Sequence, residues 1–175
     1  MLSFKDLVAD RRSHRRFTDD EISPEDLKLI LRAALMSPTS KCQRSWEFIV
    51  VDDRSVLEQL ADAKENGSEF LKNAPLAIVV LGNSAENDCW VEDSSIAAIS
   101  MQYQATDLGL GSCWIQLRGR HLSDGTATED IIRGLLHLPD EYGVLCVLAI
   151  GHPADIRKPQ NEEKLKWENV HIGTF

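Results

Sequence analysis

Seven consecutive residues, Pro75 to Leu81 (PLAIVVL), carry no charged or hydrogen-bonding side chain and include three β-branched residues. A strand with one wet face alternates apolar and polar residues, so a run of this kind reads as a strand buried on both faces. Three more segments read as strands: Trp46 to Val51 (WEFIVV), Ser112 to Leu117, and Val144 to Ile150 (VLCVLAI). Segments with helical spacing separate them. Phe4, Leu7 and Val8 open a first short helix. Ser23-Pro24-Glu25-Asp26 is a helix start, with Ser23 as N-cap and Pro24 at the first helical position. Leu27, Ile30, Leu31, Ala34 and Leu35 then share one face, and the helix ends before Pro38. Arg54 to Lys64, Glu92 to Leu108 and Glu129 to Leu136 are also helical in pattern. In the longest of these, Ile96, Ala97, Ala98, Ile99 and Met101 form an inner face suited to a central, tightly packed position. Four strands and five or six helices in 175 residues describe an α+β fold or a three-layer α/β sandwich, one domain with a tail from 154 to 175.

Charge is distributed unevenly. The chain holds 28 Asp plus Glu against 19 Lys plus Arg, a net −9, yet Arg11, Arg12, His14, Arg15 and Arg16 stand almost side by side. Arginine suits phosphate, because its planar fork donates two parallel hydrogen bonds and stays charged. A dense cationic knot in an acidic chain points to one local anionic ligand, and the overall charge argues against nucleic acid. No apolar run approaches the roughly 20 residues needed to span a bilayer. The N-terminus, whose apolar residues are interrupted by Lys5, Asp6 and Asp10, is no secretory signal, so a cytoplasmic protein is expected. The cysteines at 42, 89, 113 and 146 form no CxxC pair, and the histidines show no metal-ligand spacing, so no metal is expected. Cys113 and Cys146 lie in apolar runs and are expected to be buried thiols.

Two other segments bear on chemistry. Pro38-Thr39-Ser40-Lys41 offers two hydroxyls, backbone N–H groups and a lysine between a helix and a strand. Gly109-Leu110-Gly111-Ser112-Cys113-Trp114 lies after a helix and before a strand, the reverse of a dinucleotide-binding turn, and lacks the third glycine. No Ser-His-Asp or Cys-His arrangement and no carboxylate pair stands out. Chemistry on this chain is therefore expected to come from a cofactor that the protein positions.

Taken in order, Arg11-Arg12-Ser13-His14-Arg15-Arg16-Phe17, Ser37-Pro38-Thr39-Ser40 through Trp46, the Asp93-to-Trp114 helix and turn, and Ala149-Ile150-Gly151-His152-Pro153 resemble the nitroreductase family of flavin enzymes, over nearly the whole chain. The resemblance implies an α+β, three-layer sandwich around a mainly antiparallel sheet, and an intertwined homodimer with two FMN molecules at the subunit interface. By resemblance, Arg11, Arg12 and Ser13 bind the phosphate and ribityl chain, and Arg15 lies near the flavin N1/O2 edge. Pro38, Thr39 and Ser40 reach the flavin bound mainly by the other subunit. Trp114, Ile115 and Gln116 pass along the isoalloxazine ring, with a backbone N–H near N5. Lys164 is the candidate C-terminal cation for the phosphate, with Arg157 and Lys158 as alternatives.

The activity so implied is hydride transfer from NADH or NADPH through flavin N5 to a small acceptor, a nitroaromatic or quinone, by a ping-pong mechanism. The alternative is a flavin-binding or flavin-processing protein without NAD(P)H turnover. The family's N-x-Q-P-W loop reads Cys42-Gln43-Arg44-Ser45-Trp46 here, which keeps that alternative open and raises the choice between a reactive and an incidental thiol at Cys42. His14 and Arg16 are expected to face solvent, and Arg54 to lie on a surface helix outside the site. Trp167, Val170, Ile172 and Phe175 give the tail an apolar side that needs a surface to cover, such as a partner subunit.

Overall fold

The computed structural model describes residues 3–175. Five α-helices and four strands alternate along them: α1 (Phe4–Asp10), α2 (Pro24–Leu35), β1 (Trp46–Val51), α3 (Arg54–Asp62), β2 (Leu76–Asn83), α4 (Trp90–Asp107), β3 (Gly111–Gln116), α5 (Thr128–Leu136) and β4 (Tyr142–Gly151). Short 3-10 turns occupy Ser40–Cys42, Glu69–Asn73, Glu162–Lys164 and Trp167–Asn169. Ser23 caps α2 as expected: its side chain accepts the Asp26 N–H at 3.0 Å, with Pro24 in the first turn. No described helix is long and apolar enough to cross a membrane.

The strands form one antiparallel sheet in the order β1-β2-β4-β3. The two most apolar runs of the sequence, β2 and β4, are its central strands, and every residue of β2 is buried. Alternate side chains go to opposite faces. Ala77, Val79, Val147 and Ile115 meet Leu57, Leu60, Leu71 and Ile132, from α3, the Glu69–Asn73 turn and α5. Ile78, Val80, Leu148 and Ile150 meet Ile30, Ala34, Ala97 and Met101, from α2 and α4. The result is a three-layer α+β sandwich. Each fully buried Leu or Ile stabilises it by about 1.5–3 kcal/mol relative to exposure.

Helix α4 is the middle of one layer. Its small residues Ala97, Ala98 and Ala105 are fully buried with Met101. Ile96, expected on that inner face, is 39% exposed. At 100° per residue, positions 97, 98, 101 and 105 form one stripe and 96 falls outside it. The helix ends in a Schellman motif, Gly109 N–H to Thr106 O at 3.0 Å and Leu110 N–H to Ala105 O at 2.8 Å, with Gly109 at φ +75°. After β4 the chain runs back past α1, where the Gln160 N–H donates to Ala9 O at 2.8 Å.

Candidate functional site

The arginine knot is an extended strap across one end of the sheet. Ser13 bridges Ser112 in parallel, and the His14 N–H donates to Ser112 O at 3.0 Å. Further on, the Thr18 N–H donates to His152 O and the Ala154 N–H to Arg16 O, both at 2.9 Å. The strap thus lies against the start of β3 and the end of β4. Burial pushes the Cys113 thiol up, while Arg15, the Ser13 hydroxyl, Arg11 and Arg157 act against that shift. The fields of these four residues thus act on Cys113, on β3. The Arg15 guanidinium also lies 5.9 Å from the centre of the Phe70 ring.

Two members of the knot have other duties. His14 does not face solvent: its side chain is only 15% exposed and its Nδ1 lies 2.8 Å from Asp155 Oδ1. Its ring lies on Gly111, where a Cβ would come within 2.9 Å of it. The second glycine of Gly109-Leu110-Gly111 thus admits a side chain rather than a nucleotide. Asp155 Oδ2 in turn holds Arg157 Nε at 2.7 Å. Arg12 donates to the carbonyls of Lys158 and Pro159 and fastens the tail. Of the three C-terminal cations considered, Arg157 is the one whose charge reaches the Cys113 thiol beside Arg11 and Arg15; Lys164 is exposed on its 3-10 turn.

β3 is an edge strand, and its open side adjoins the knot. Backbone groups alternate in direction along a strand. Because Ser112 O faces the strap, the backbone groups of Trp114 and Gln116 face the same open edge. Ile115 pairs with Val147 and buries its side chain in the core at 2% exposure, so it presents little of itself to that edge. The Trp114 and Gln116 side chains engage one another, Nε1 donating to Oε1 at 2.9 Å, and Gln116 Nε2 donates to Arg118 O.

Pro38, Thr39 and Ser40 are elsewhere. Their loop joins the opposite end of the sheet, where the Asn83 N–H donates to Ser45 O at 2.8 Å and Asn83 pairs with Tyr142. The strap meets β4 at its other end, near Gly151, and the ten residues of β4 span about 30 Å. One subunit does not bring the two motifs together. The loop holds three non-glycine residues in the left-handed region, Lys41, Cys42 and Arg44, at φ 51°, 55° and 52°. Each costs on the order of 1–3 kcal/mol unless its surroundings impose it. Backbone N–H groups expected to be free are largely occupied: Ser40 donates to both oxygens of Asp93, at 2.9 and 3.1 Å, and Arg44 to Thr39 Oγ1 at 3.1 Å. Cys42 is exposed.

The profile of the Nitroreductase family matches residues 8–67 and 59–152, which spans the knot, the Pro38–Ser40 loop, α4 and the β3 edge. The chain belongs to the Nitroreductase family. A solved FMN-dependent nitroreductase from Clostridium difficile R20291 is similar to this nitroreductase-family chain with a TM-score of 0.94 and 45% identity, covering 97% of this chain and 98% of that one. A relative from Archaeoglobus fulgidus, provisionally named NADH dehydrogenase/NAD(P)H nitroreductase, is 35% identical over 85% of this chain and 84% of its own length. An FMN reductase (NADPH) from Bacillus subtilis is 28% identical over 96% of this chain and 75% of its own.

What sequence reasoning missed is the support of the site: the His14–Asp155–Arg157 chain and the buried Asp93. Neither has a local signal, since the first spans 141 residues of sequence and the second 53.

Proposed function

We propose that this nitroreductase-family chain is an FMN-dependent NAD(P)H oxidoreductase working as a homodimer, with two flavin sites shared between subunits. The carrying observation is the strap itself: Ser13 bridges Ser112 and the His14 N–H donates to Ser112 O, so the cationic knot borders the open edge of β3. The relatives named for FMN and NAD(P)H support the cofactor and the donor.

The residues fit the group. Arg11 and Ser13, with Arg157, supply the planar forks and the hydroxyl that a phosphate monoester takes. The buried Ser112 hydroxyl, across the bridge from Ser13, has no hydrogen-bond partner among the described residues. Arg12 would contribute by fixing the tail that carries Arg157, and Lys164 remains a solvent-side cation. The open backbone groups of Trp114 and Gln116, on either side of Ile115, would offer hydrogen bonds to the ring. Arg15 would set a positive charge beside the bound ring and so favour its reduced, anionic form by Coulomb attraction. When bound, FMN supplies the redox chemistry, accepting hydride from NADH or NADPH and passing the electrons to a small acceptor such as a quinone or nitroaromatic.

Because the knot and the Pro38–Ser40 loop occupy opposite ends of one subunit, a second copy is needed to bring Thr39 and Ser40 to the same flavin. The apolar surface for such a copy exists: Leu35 and Met36 at the end of α2, Ile96 on α4, and Trp167, Ile172 and Phe175 on the tail are all exposed. Purified protein is expected to be yellow, to hold about one FMN per chain, and to bleach on mixing with NADH or NADPH under anaerobic stopped flow. Protein that stays colourless after incubation with FMN would overturn the proposal. A yellow protein that neither donor bleaches would favour flavin binding without turnover.

A further inference from the structure

We infer that Asp93, with Asn87, is a positioning pair that holds the Pro38–Ser40 loop in the shape required to receive the flavin. This inference rests on the cofactor reading above. Asp93 lies in the first turn of α4 and is 4% exposed; Asn87, just before that helix, is 1% exposed. The Asp93 carboxylate accepts the Ser40 N–H on both oxygens and the Asn87 amide at 2.8 Å. Asn87 Nδ2 also donates to Ser45 Oγ at 2.7 Å, and Asn87 Oδ1 accepts the Cys89 N–H at 2.9 Å. The two side chains thus grip the loop at both ends, Ser40 and Ser45, and tie it to the rigid start of α4.

Between those two grips lie Lys41, Cys42 and Arg44, the left-handed residues. A loop without glycine adopts that backbone only where its surroundings over-determine it. A buried carboxylate is costly unless its lone pairs are satisfied, and here the donors are a loop N–H and an amide rather than a cation. The Ser40 N–H is fully used in this grip, so the loop presents hydroxyls, not that N–H, to its ligand. Asp93 and Asn87 act on the cofactor only through the loop.

The test compares FMN titration with thermal unfolding of the apo-protein. Asp93→Asn keeps the size of the side chain but sets an NH2 against the Ser40 and Asn87 donors. It is expected to weaken FMN binding by about tenfold or more and to lower Tm. Replacing Lys41, Cys42 and Arg44 with glycine in the Asp93→Asn background lets the same left-handed backbone form without strain. That combination is expected to regain part of the FMN affinity along with Tm. Tm regained with FMN affinity no better than in Asp93→Asn alone would overturn the inference, since Asp93 would then not act through the shape of the loop. So would an Asp93→Asn protein that binds FMN like the wild type. Ser45→Ala, at the half-buried margin of the same grip, covers the case in which Asp93→Asn does not fold: weaker FMN binding with a smaller fall in Tm is expected, and unchanged binding overturns the inference. Wild-type protein that takes up no FMN fails at the first titration and overturns the cofactor reading itself, with the inference resting on it.

Discussion

Each member of the arginine knot meets different neighbours, so each substitution has its own expected outcome. Arg11→Ala should weaken FMN retention by about 2 kcal/mol, the loss of a charge-assisted hydrogen bond. Arg16→Ala, with its side chain exposed, should not, and isothermal titration of the two variants checks the contrast. Arg54 is unsuited as the neutral control that its surface position suggests, because its guanidinium donates to the carbonyls of Lys72 and Ala74 and ties α3 to the approach to β2. Asp155 gives a pH prediction. Burial pushes its carboxyl up, but the hydrogen bond and charge of His14, with Arg157, outweigh this and hold it below the ordinary carboxylate value. A depressed folded-state pKa adds stability above the unfolded value near 3.9, and that stability is lost as pH falls through the folded value. Wild type should therefore exceed Asp155→Asn in Tm at neutral pH, and the gap should close below about pH 4. A gap that persists at low pH would mean that packing, not charge, makes the difference.

At the scale of elements, α4 docks on the sheet through a notch. Gly82 and Gly143, on neighbouring strands, lie under the Trp90 indole, where added Cβ atoms would come within 2.7 and 2.6 Å of it. Gly143→Ala should cost about 1–3 kcal/mol through overpacking, read as a lower urea midpoint at unchanged m-value. Ser23→Ala should cost about 1 kcal/mol by removing the N-cap of α2. The helix starts and stops were legible because caps, Pro24, Gly109 and apolar spacing are local signals. The strand order was not, since β2 pairs with β4 across 59 to 74 residues and nothing local records that partnership.

For the whole molecule, the decisive expectation is association. The tail beyond Lys158 is exposed throughout, with Ile172 and Phe175 almost wholly bare. Such residues on one chain, together with the apolar end of α2, fit a surface that a second copy covers. Wild type should run as a dimer in size-exclusion chromatography with light scattering. Removal of residues 165–175 should shift it toward monomer and release FMN. A truncated chain that remains a dimer with full flavin content would show that the tail has no part in either.

The sequence by itself determined the periodicities, and with them the strands, the helices, both-face burial at Pro75–Leu81 and the cationic knot, because spacing and charge are properties of neighbours along the chain. It also carried the family motifs in order. Only the tertiary structure decided where each motif sits and what it touches. It put His14 against Asp155 instead of solvent, gave Arg12 to the tail, paired Arg157 with Asp155, turned Ile115 into the core, and separated the Thr39–Ser40 loop from the knot by the length of β4. These outcomes depend on contacts between residues far apart in sequence. Their energies come from geometry that exists only after the sheet has closed and water has left.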